Sequence, residues 1–339
     1  MNVLLAVACA GFVGGAIESR TLTLERHRRD RHHPTKQASC TNTCPACLNK
    51  ERPRLYSLLH VDGVGTTVKY VLEHARFARD RGYAYGGAVG ALPATPQAHG
   101  VVQRRCVEWA LGTDAIVVAM PSHVKRVAAV EDLKNETTLW TEKHTPLPVN
   151  EDKKWAADLR RGNACRLKRT KLTYAPQSVR IGAHLRRGDV DASVQPSLRW
   201  VSDECLVRAL AWVASIVGIK ADVHVFSALE PHTGRGGKMR GTGDPRAFDA
   251  YREQNYTVHL NAGDATRSVL DHWAHLASAD VFLQSPTSAF AAVPAYFNSG
   301  CVLQARAVRK GLHCYALDAD DEKCVRRAVE RRLRGLTHL

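Results

Sequence analysis

From Val179 onward, short apolar runs alternate with stretches of helical periodicity, and that alternation constrains the fold more than any other feature of the chain. VRIGAHL (179–185), DVHVFS (222–227), TVHL (257–260), DVFLQ (280–284) and CVLQ (301–304) are each of strand length. Strands separated by helices pair in parallel, because each crossover returns the chain to the same end of the sheet, and such sheets need cover on both faces. The spacing predicts a helix over 202–218 with Ser202 as N-cap and Gly218 just past its end. It also predicts a helix over 266–278, one following Ser285, and a last helix with Val325, Val329, Leu333 and Leu336 on one face and its arginines on the solvated one.

The chain has 339 residues, which at ~150 residues per domain suggests two lobes. LYSLLHV (55–61) reads as the first strand of the folded body, Thr66 to Arg79 as its helix through Val68, Leu72, Ala75 and Phe77, and AIVVAM (115–120) as a buried parallel strand. Between about 131 and 178 the chain turns polar, with Pro146, Pro148, Pro176 and many basic residues, which marks a lobe boundary. The expected organisation is a signal peptide or anchor over 1–17, a basic stem over 18–54, an N-terminal acceptor-side lobe over 55–165 and a C-terminal nucleotide-sugar-binding lobe over 166–339. The fold class is α/β, with the parallel sheet in the C-terminal lobe.

Residues 3–17 are apolar, and Gly14-Gly15-Ala16 offers a signal peptidase the small side chains it needs. A cleaved signal peptide is the first reading; an uncleaved membrane tether and a buried first element are the alternatives. No apolar run reaches the ~20 residues of a membrane span, which excludes a multi-pass protein. Asn135-Glu136-Thr137 and Asn255-Tyr256-Thr257 fit the glycosylation acceptor pattern. Ten cysteines point to disulfides and an oxidising lumen, Golgi or ER. Cys40-x3-Cys44-x2-Cys47, with His32 and His33 upstream, also resembles half a zinc site, but a second CxxC is missing, which favours disulfides. The net charge of +15 implies an anionic partner without naming it.

In a doubly wound sheet, ligands bind beyond the carboxyl ends of the strands. The strand 179–185 delivers His184-Leu185-Arg186-Arg187-Gly188-Asp189 there, with His184, Arg186 and Gly182 sharing one side. Two adjacent guanidiniums at a strand end need an anion, since an unpaired buried charge is too costly; a phosphate or carboxylate fits their planar fork. Asp189 is placed to orient one of them, and Gly188 lets backbone approach a ligand; a plain loop salt bridge is the alternative. At the end of a second strand, Ser285-Pro286-Thr287-Ser288 reads as a helix start with Ser285 as N-cap, whose free amides and hydroxyls suit a phosphate. A plain cap without ligand competes with that reading. Asp62-Gly63-Val64-Gly65-Thr66-Thr67 is a third element, either a close backbone approach to substrate or a structural turn. The run Gly234 to Gly243 lacks G-K-[ST] and reads as a basic loop.

Together, HLRRGD, S-P-T-S-A-F about a hundred residues later and the early glycine turn resemble the fucosyltransferase superfamily that shares an arginine peptide, the α1,2-, α1,6- and protein O-fucosyltransferases, over residues 55–305. The resemblance implies two Rossmann-like lobes of GT-B type and a GDP-fucose donor held mainly by the C-terminal lobe, without cofactor or required metal. It places His184, Arg186 and Arg187 by the pyrophosphate, Ser285, Thr287 and Ser288 at phosphate or ribose, and Asp62, Gly63 and Gly65 on the acceptor side of the cleft. The family's first turn often continues Asn-Gln where this chain has Thr66-Thr67, and its Ser-x-Asp appears here as Ser227-Ala228-Leu229-Glu230. Charge growing on the leaving diphosphate would be met by Arg186 and the helix start; Asp62, Asp189 and Glu230 are the general-base candidates by position. The expected partners are a nucleotide-sugar donor and a glycan or glycoprotein acceptor.

Other classes compete. Asp189-Val190-Asp191 and Asp318-Ala319-Asp320 are both D-x-D, as in metal-dependent transferases, although Asp318 to Asp321 also suits a helix cap. A basic polyanion-binding secreted protein would use the charge; the lumen excludes nucleic acid as its target. A catalytically dead family member is the third alternative.

Overall fold

The apolar runs form the strands that their length and continuity require. The computed structural model describes residues 52–58, 64–89, 106–111, 124–127, 129, 131, 133–134, 136–140, 153–187, 200–228, 232–233, 239–240, 244–260, 265–309, 312–315 and 317–336. All belong to one compact unit, residues 40–339. The first sheet is built from β1 (Arg54–Leu58), β2 (Ala84–Val89), β3 (Lys125–Val127) and β4 (Thr138–Trp140), with α1 (Val64–Asp80) and a helical segment α2 (106–111) between them and α3 (Lys153–Arg169) after them. Next come β5 (Val179–His184), α4 (Asp203–Val217), β6 (Ala221–Ser227), the short β7 (His232–Thr233) and β8 (Met239–Arg240), α5 (Asp249–Arg252) and β9 (Thr257–Leu260). The chain ends with α6 (Ala265–Ser278), β10 (Val281–Gln284), α7 (Ala289–Phe297), β11 (Cys301–Gln304), β12 (Arg306–Arg309), β13 (Leu312–Cys314) and α8 (Ala319–Leu336).

Two larger sheets result among the described residues, in the orders β2-β1-β4-β3 and β11-β10-β5-β6-β9, and every pairing within them is parallel, while β7-β8 and β12-β13 are antiparallel two-stranded pairs. The α/β class with parallel sheets is therefore as the alternation requires. In the central strand β5, Val179, Ile181 and Ala183 are fully buried against Leu206, Leu210 and Val213 of α4 and Val325 of α8. The opposite side is covered by α6: a Cβ on Gly182 would lie 3.2 Å from Leu276 and 2.9 Å from the Tyr174 hydroxyl. Ser202 caps α4, accepting from Cys205 N–H at 3.2 Å, and Gly218 ends it at φ 76°. Disulfide Cys205–Cys314 ties α4 to β13, and Cys301–Cys324 ties α8 to β11 of the sheet. Cys106 is a buried free thiol, pushed up to about 12 by burial, and so is unreactive at neutral pH.

Three sequence expectations change. The polar stretch 131–178 contains β4 and the 17-residue α3 rather than only a boundary, and a division at 165/166 falls inside that helix. Trp155, Leu159 and Asn163, four residues apart, form its buried stripe, with Asn163 donating to the Ala110 carbonyl at 2.9 Å. One apolar cluster joins helices beside the first sheet (Phe77, Trp109, Trp155) to α6 and α7 (Trp273, Phe297), so the helical layer is shared. Finally, α8 does not leave all its arginines in solvent: Arg332 donates to the carbonyls of Ser178 at 3.0 Å and Pro176 at 2.7 Å.

Among the described residues no helix is long and apolar enough to cross a membrane. Asp318 accepts from the N–H groups of Asp320 and Asp321 at 2.9 Å each, which is the helix-cap reading of that D-x-D. Asn255 is exposed in a turn at φ 57°. The expected strand 115–120, Asn135, the Cys40 cluster and residues 1–51 lie outside the described residues.

Candidate active site at the strand ends

From β5 the chain moves outward through β6 to β9, then crosses back to β10 on the other side of β5 and on to β11. The order of the sheet therefore reverses between β5 and β10, and such a switch point opens a crevice at the carboxyl ends of the two strands. Leu283 of β10 is in register with Ala183 of β5, so Gln284 and His184 leave the sheet side by side. These strand ends carry two of the motifs singled out in the sequence.

They touch directly. His184 Nδ1 lies 3.1 Å from Ser285 Oγ, and the Ser285 hydroxyl donates to the His184 carbonyl. A hydroxyl has one proton; with it committed to the carbonyl, Nδ1 must carry the hydrogen of the other bond. Both residues are buried. The His184 ring stacks on Phe290 with centroids 5.0 Å apart. Leu185 is held on both sides, donating to the Phe226 carbonyl at 2.9 Å and accepting from the Ser227 hydroxyl at 2.6 Å.

The helix after Ser285 starts later than expected. Ser288, not Ser285, is the N-cap of α7, accepting from Ala291 N–H at 3.3 Å. Two causes are visible: the Ser285 hydroxyl is engaged by His184, and Thr287 sits at φ 46°, outside a right-handed helix. For a β-branched residue that conformation costs of order 1–3 kcal/mol and must be imposed by its surroundings. Thr287 is exposed and Ser288 buried.

Gly65, in the first turn of α1, reaches the same place. A Cβ on Gly65 would lie 2.4 Å from both Cα and N of Phe290, so the first turn of α1 lies directly on the first turn of α7. The close approach that Gly65 permits is to the protein's own backbone, in keeping with the structural of the two readings of this glycine. Trp273 of α6, which sequence inspection passed over, completes the arrangement by donating to the Phe290 carbonyl at 3.1 Å. Its position inside an amphipathic helix resembles any core aromatic, so nothing in the pattern distinguishes it.

The two arginines part company. Arg186 is half-buried just beyond β5. Arg187 is buried, pairs with Asp203 at 2.7 Å, donates to the Val201 carbonyl at 2.8 Å and stacks 3.6 Å over the Trp200 ring. Tyr251 donates to the same Asp203 oxygen at 2.6 Å. The expectation that both guanidiniums face an anionic ligand is therefore corrected: the anion of Arg187 is Asp203, sixteen residues further on. Asp62, Gly63, Gly188, Asp189 and Glu230 lie outside the described residues.

No protein-family profile and no curated protein sequence matches the chain. Among solved structures it is similar to the fucosyltransferase NodZ from Bradyrhizobium, at 12% identity and a TM-score of 0.47 over 78% of this chain and 98% of that one. It is similar to POFUT1 in complex with GDP, at 11% identity and 0.38 over 75% and 98%. A third likeness is to the dodecameric iron-containing heptosyltransferase TibC in complex with ADP-D-beta-D-heptose, at 9% identity and 0.35 over 85% and 76%.

Proposed function

We propose that the chain is a glycosyltransferase that moves fucose from GDP-fucose to a glycan or protein hydroxyl, with inversion and without a metal. The observation that carries this reading is the convergence of the three motifs: His184 bonded to Ser285, and Gly65 packed on Phe290, at the switch point of a parallel sheet. The arginine-peptide resemblance supplies the donor class.

In such a transfer the sugar passes through an oxocarbenium-like centre while negative charge grows on the diphosphate. Arg186 is the cation for that charge, and the amides around Thr287 and Ser288, beside the α7 start, supply further donors that need no reorganisation. His184 and Arg187 act at one remove, His184 by fixing Ser285 and Phe290 and Arg187 by anchoring the chain beyond β5 to α4. The acceptor hydroxyl loses its proton to Asp62, Asp189 or Glu230. Two disulfides support an oxidising compartment, hence the secretory lumen.

A thermal-shift panel of nucleotides and nucleotide sugars tests the donor. GDP at 100 times its Kd should add about 2.7 kcal/mol of stability, with UDP, ADP and CDP adding little. Equal shifts with all nucleotides, or none with GDP, would remove the assignment. Turnover that survives excess EDTA is expected; its loss would favour a metal-dependent transferase, and hydrolysis and transfer both absent would indicate a dead family member.

A further inference from the structure

On the α6 side of the second sheet, four histidines close on one fully buried ring, Phe226. His259 of β9 stacks on it at 4.5 Å, His272 of α6 meets its edge at 5.1 Å, and His275 of α6 and His224 of β6 lie 5.5 and 6.2 Å away. Among the described residues no group of His, Cys, Asp or Glu is disposed to hold a metal ion. The cluster adjoins the strand-end site through Phe226, whose carbonyl accepts from Leu185 N–H, but its imidazoles take no part in the transfer described above.

Its hydrogen bonds fix its charge state. The backbone N–H of Thr173 donates to His275 Nε2 at 2.9 Å, and an amide N–H can only donate, so Nε2 holds a lone pair. His275 Nδ1 faces the Asp271 carbonyl at 2.6 Å, which can only accept, so the hydrogen is there and the ring is neutral. His224 Nε2 faces Asp222 at 3.2 Å and carries its hydrogen. Its Nδ1 lies 2.9 Å from His259 Nε2, and that contact has room for one hydrogen. A proton on His275 sets its Nε2–H against the Thr173 amide N–H and leaves it only the Thr173 hydroxyl, 3.0 Å away, as acceptor, and one on each of His224 and His259 sets N–H against N–H. Burial first, then the neighbouring imidazoles, hold His259 down at about 4 and His272 at about 3; burial also lowers His224 and His275. Other facing groups pull both ways. Asp222 of β6 and Asp271 of α6 favour the charged form, Arg180 of β5 opposes it at His275, and Tyr174 is held neutral by its burial. Asp280 and Arg332 of α8 act mainly on Arg180.

We propose that these four histidines form an acid-sensitive latch: neutral, they hold α6 and residues 173–174 against β6 and β9, and protonated, they release them. Because the folded state binds fewer protons than the open one, the hold is complete above the ordinary histidine value near 6.5 and is lost progressively as pH falls toward the depressed folded values. The latch leads to the strand ends, since Trp273 lies between His272 and His275 on α6 and binds the Phe290 carbonyl. That last consequence, acid inactivation, rests on the donor-site reading; the latch does not.

Hydrogen exchange of the full chain between pH 7.5 and 5.5, corrected for intrinsic rates, tests it with α4 amides as internal reference. His259 and His272 each contribute about tenfold at pH 5.5, so α6 protection should fall about 100-fold while α4 holds. In His272→Gln the fall should shrink to about tenfold. Unchanged α6 protection in the wild type, or an equal fall in α4, overturns the latch, and the wild-type series decides alone if the variant does not fold. GDP titrated at both pH values separates the two ideas: binding lost at pH 5.5 together with α6 protection supports the coupling, and binding retained there refutes it. No GDP binding at either pH refutes the donor-site reading, while exchange still decides the latch.

Discussion

Substituting alanine for Gly65 sets two effects of opposite sign against each other. Glycine in a helix costs ~1 kcal/mol relative to alanine, and less in the first turn where Gly65 sits, so propensity alone favours the variant. Against this stands a Cβ 2.4 Å from Cα and N of Phe290 and 2.7 Å from the Ala289 carbonyl carbon. Carbon atoms in contact are ordinarily ~3.5–4.0 Å apart, so the helix starts must separate by roughly 1 Å. The obstructing atoms are backbone and have no alternative rotamer. Overpacking of this kind costs about 1–3 kcal/mol, which leaves Gly65→Ala less stable by about 1–2 kcal/mol in urea unfolding. The same separation draws Phe290 away from His184, so GDP affinity should fall further than stability does. A variant as stable as the parent, or more so, would show that α1 and α7 do not meet at these atoms, and the convergence would fail with it.

Arg187→Ala should destabilise the protein by about 2 kcal/mol, below the ~3–5 kcal/mol for a fully buried pair because Asp203 is 39% exposed. Lysine should not rescue it, since the planar stack on Trp200 and the fork to Asp203 and Val201 need a guanidinium; a change under ~0.5 kcal/mol in chemical denaturation would contradict this pairing. Breaking Cys205–Cys314, whose cysteines are 109 positions apart, should cost about 5 kcal/mol, and Cys301–Cys324, 23 positions apart, about 3 kcal/mol, in a chain-entropy account. Serine pairs at each bridge, compared by urea midpoint, check the order.

The second sheet was legible because its inner strands β5, β6 and β10 are mostly buried and read as apolar runs, and because Ser202 and Gly218 mark the ends of α4. The first sheet was harder to read: β3 and β4 have three residues each, and α3 hides its buried stripe of Trp155, Leu159 and Asn163 among lysines and arginines. At the site, the sequence put the His184 and Ser285 motifs at the ends of two strands of one parallel sheet, and the sheet order that makes β5 and β10 neighbours came only with the structure. The division between Arg186 and Arg187 did not, because neighbouring residues beyond a strand end point different ways and Asp203 belongs to the next helix. Gly65 was recognised as a place of close approach, but a sequence cannot say what approaches. The histidine cluster left no signal, since positions 224, 259, 272 and 275 come from three elements that only the parallel order brings together.

The central claim is that Arg186, beside the joined ends of β5 and β10, grips a diphosphate. Calorimetric titration of GDP into the wild type and into Arg186→Ala, with unfolding curves of both, tests it most directly. The expected result is saturable binding to the wild type and none to a variant that unfolds at the same urea concentration; equal GDP affinity in the two proteins would contradict it.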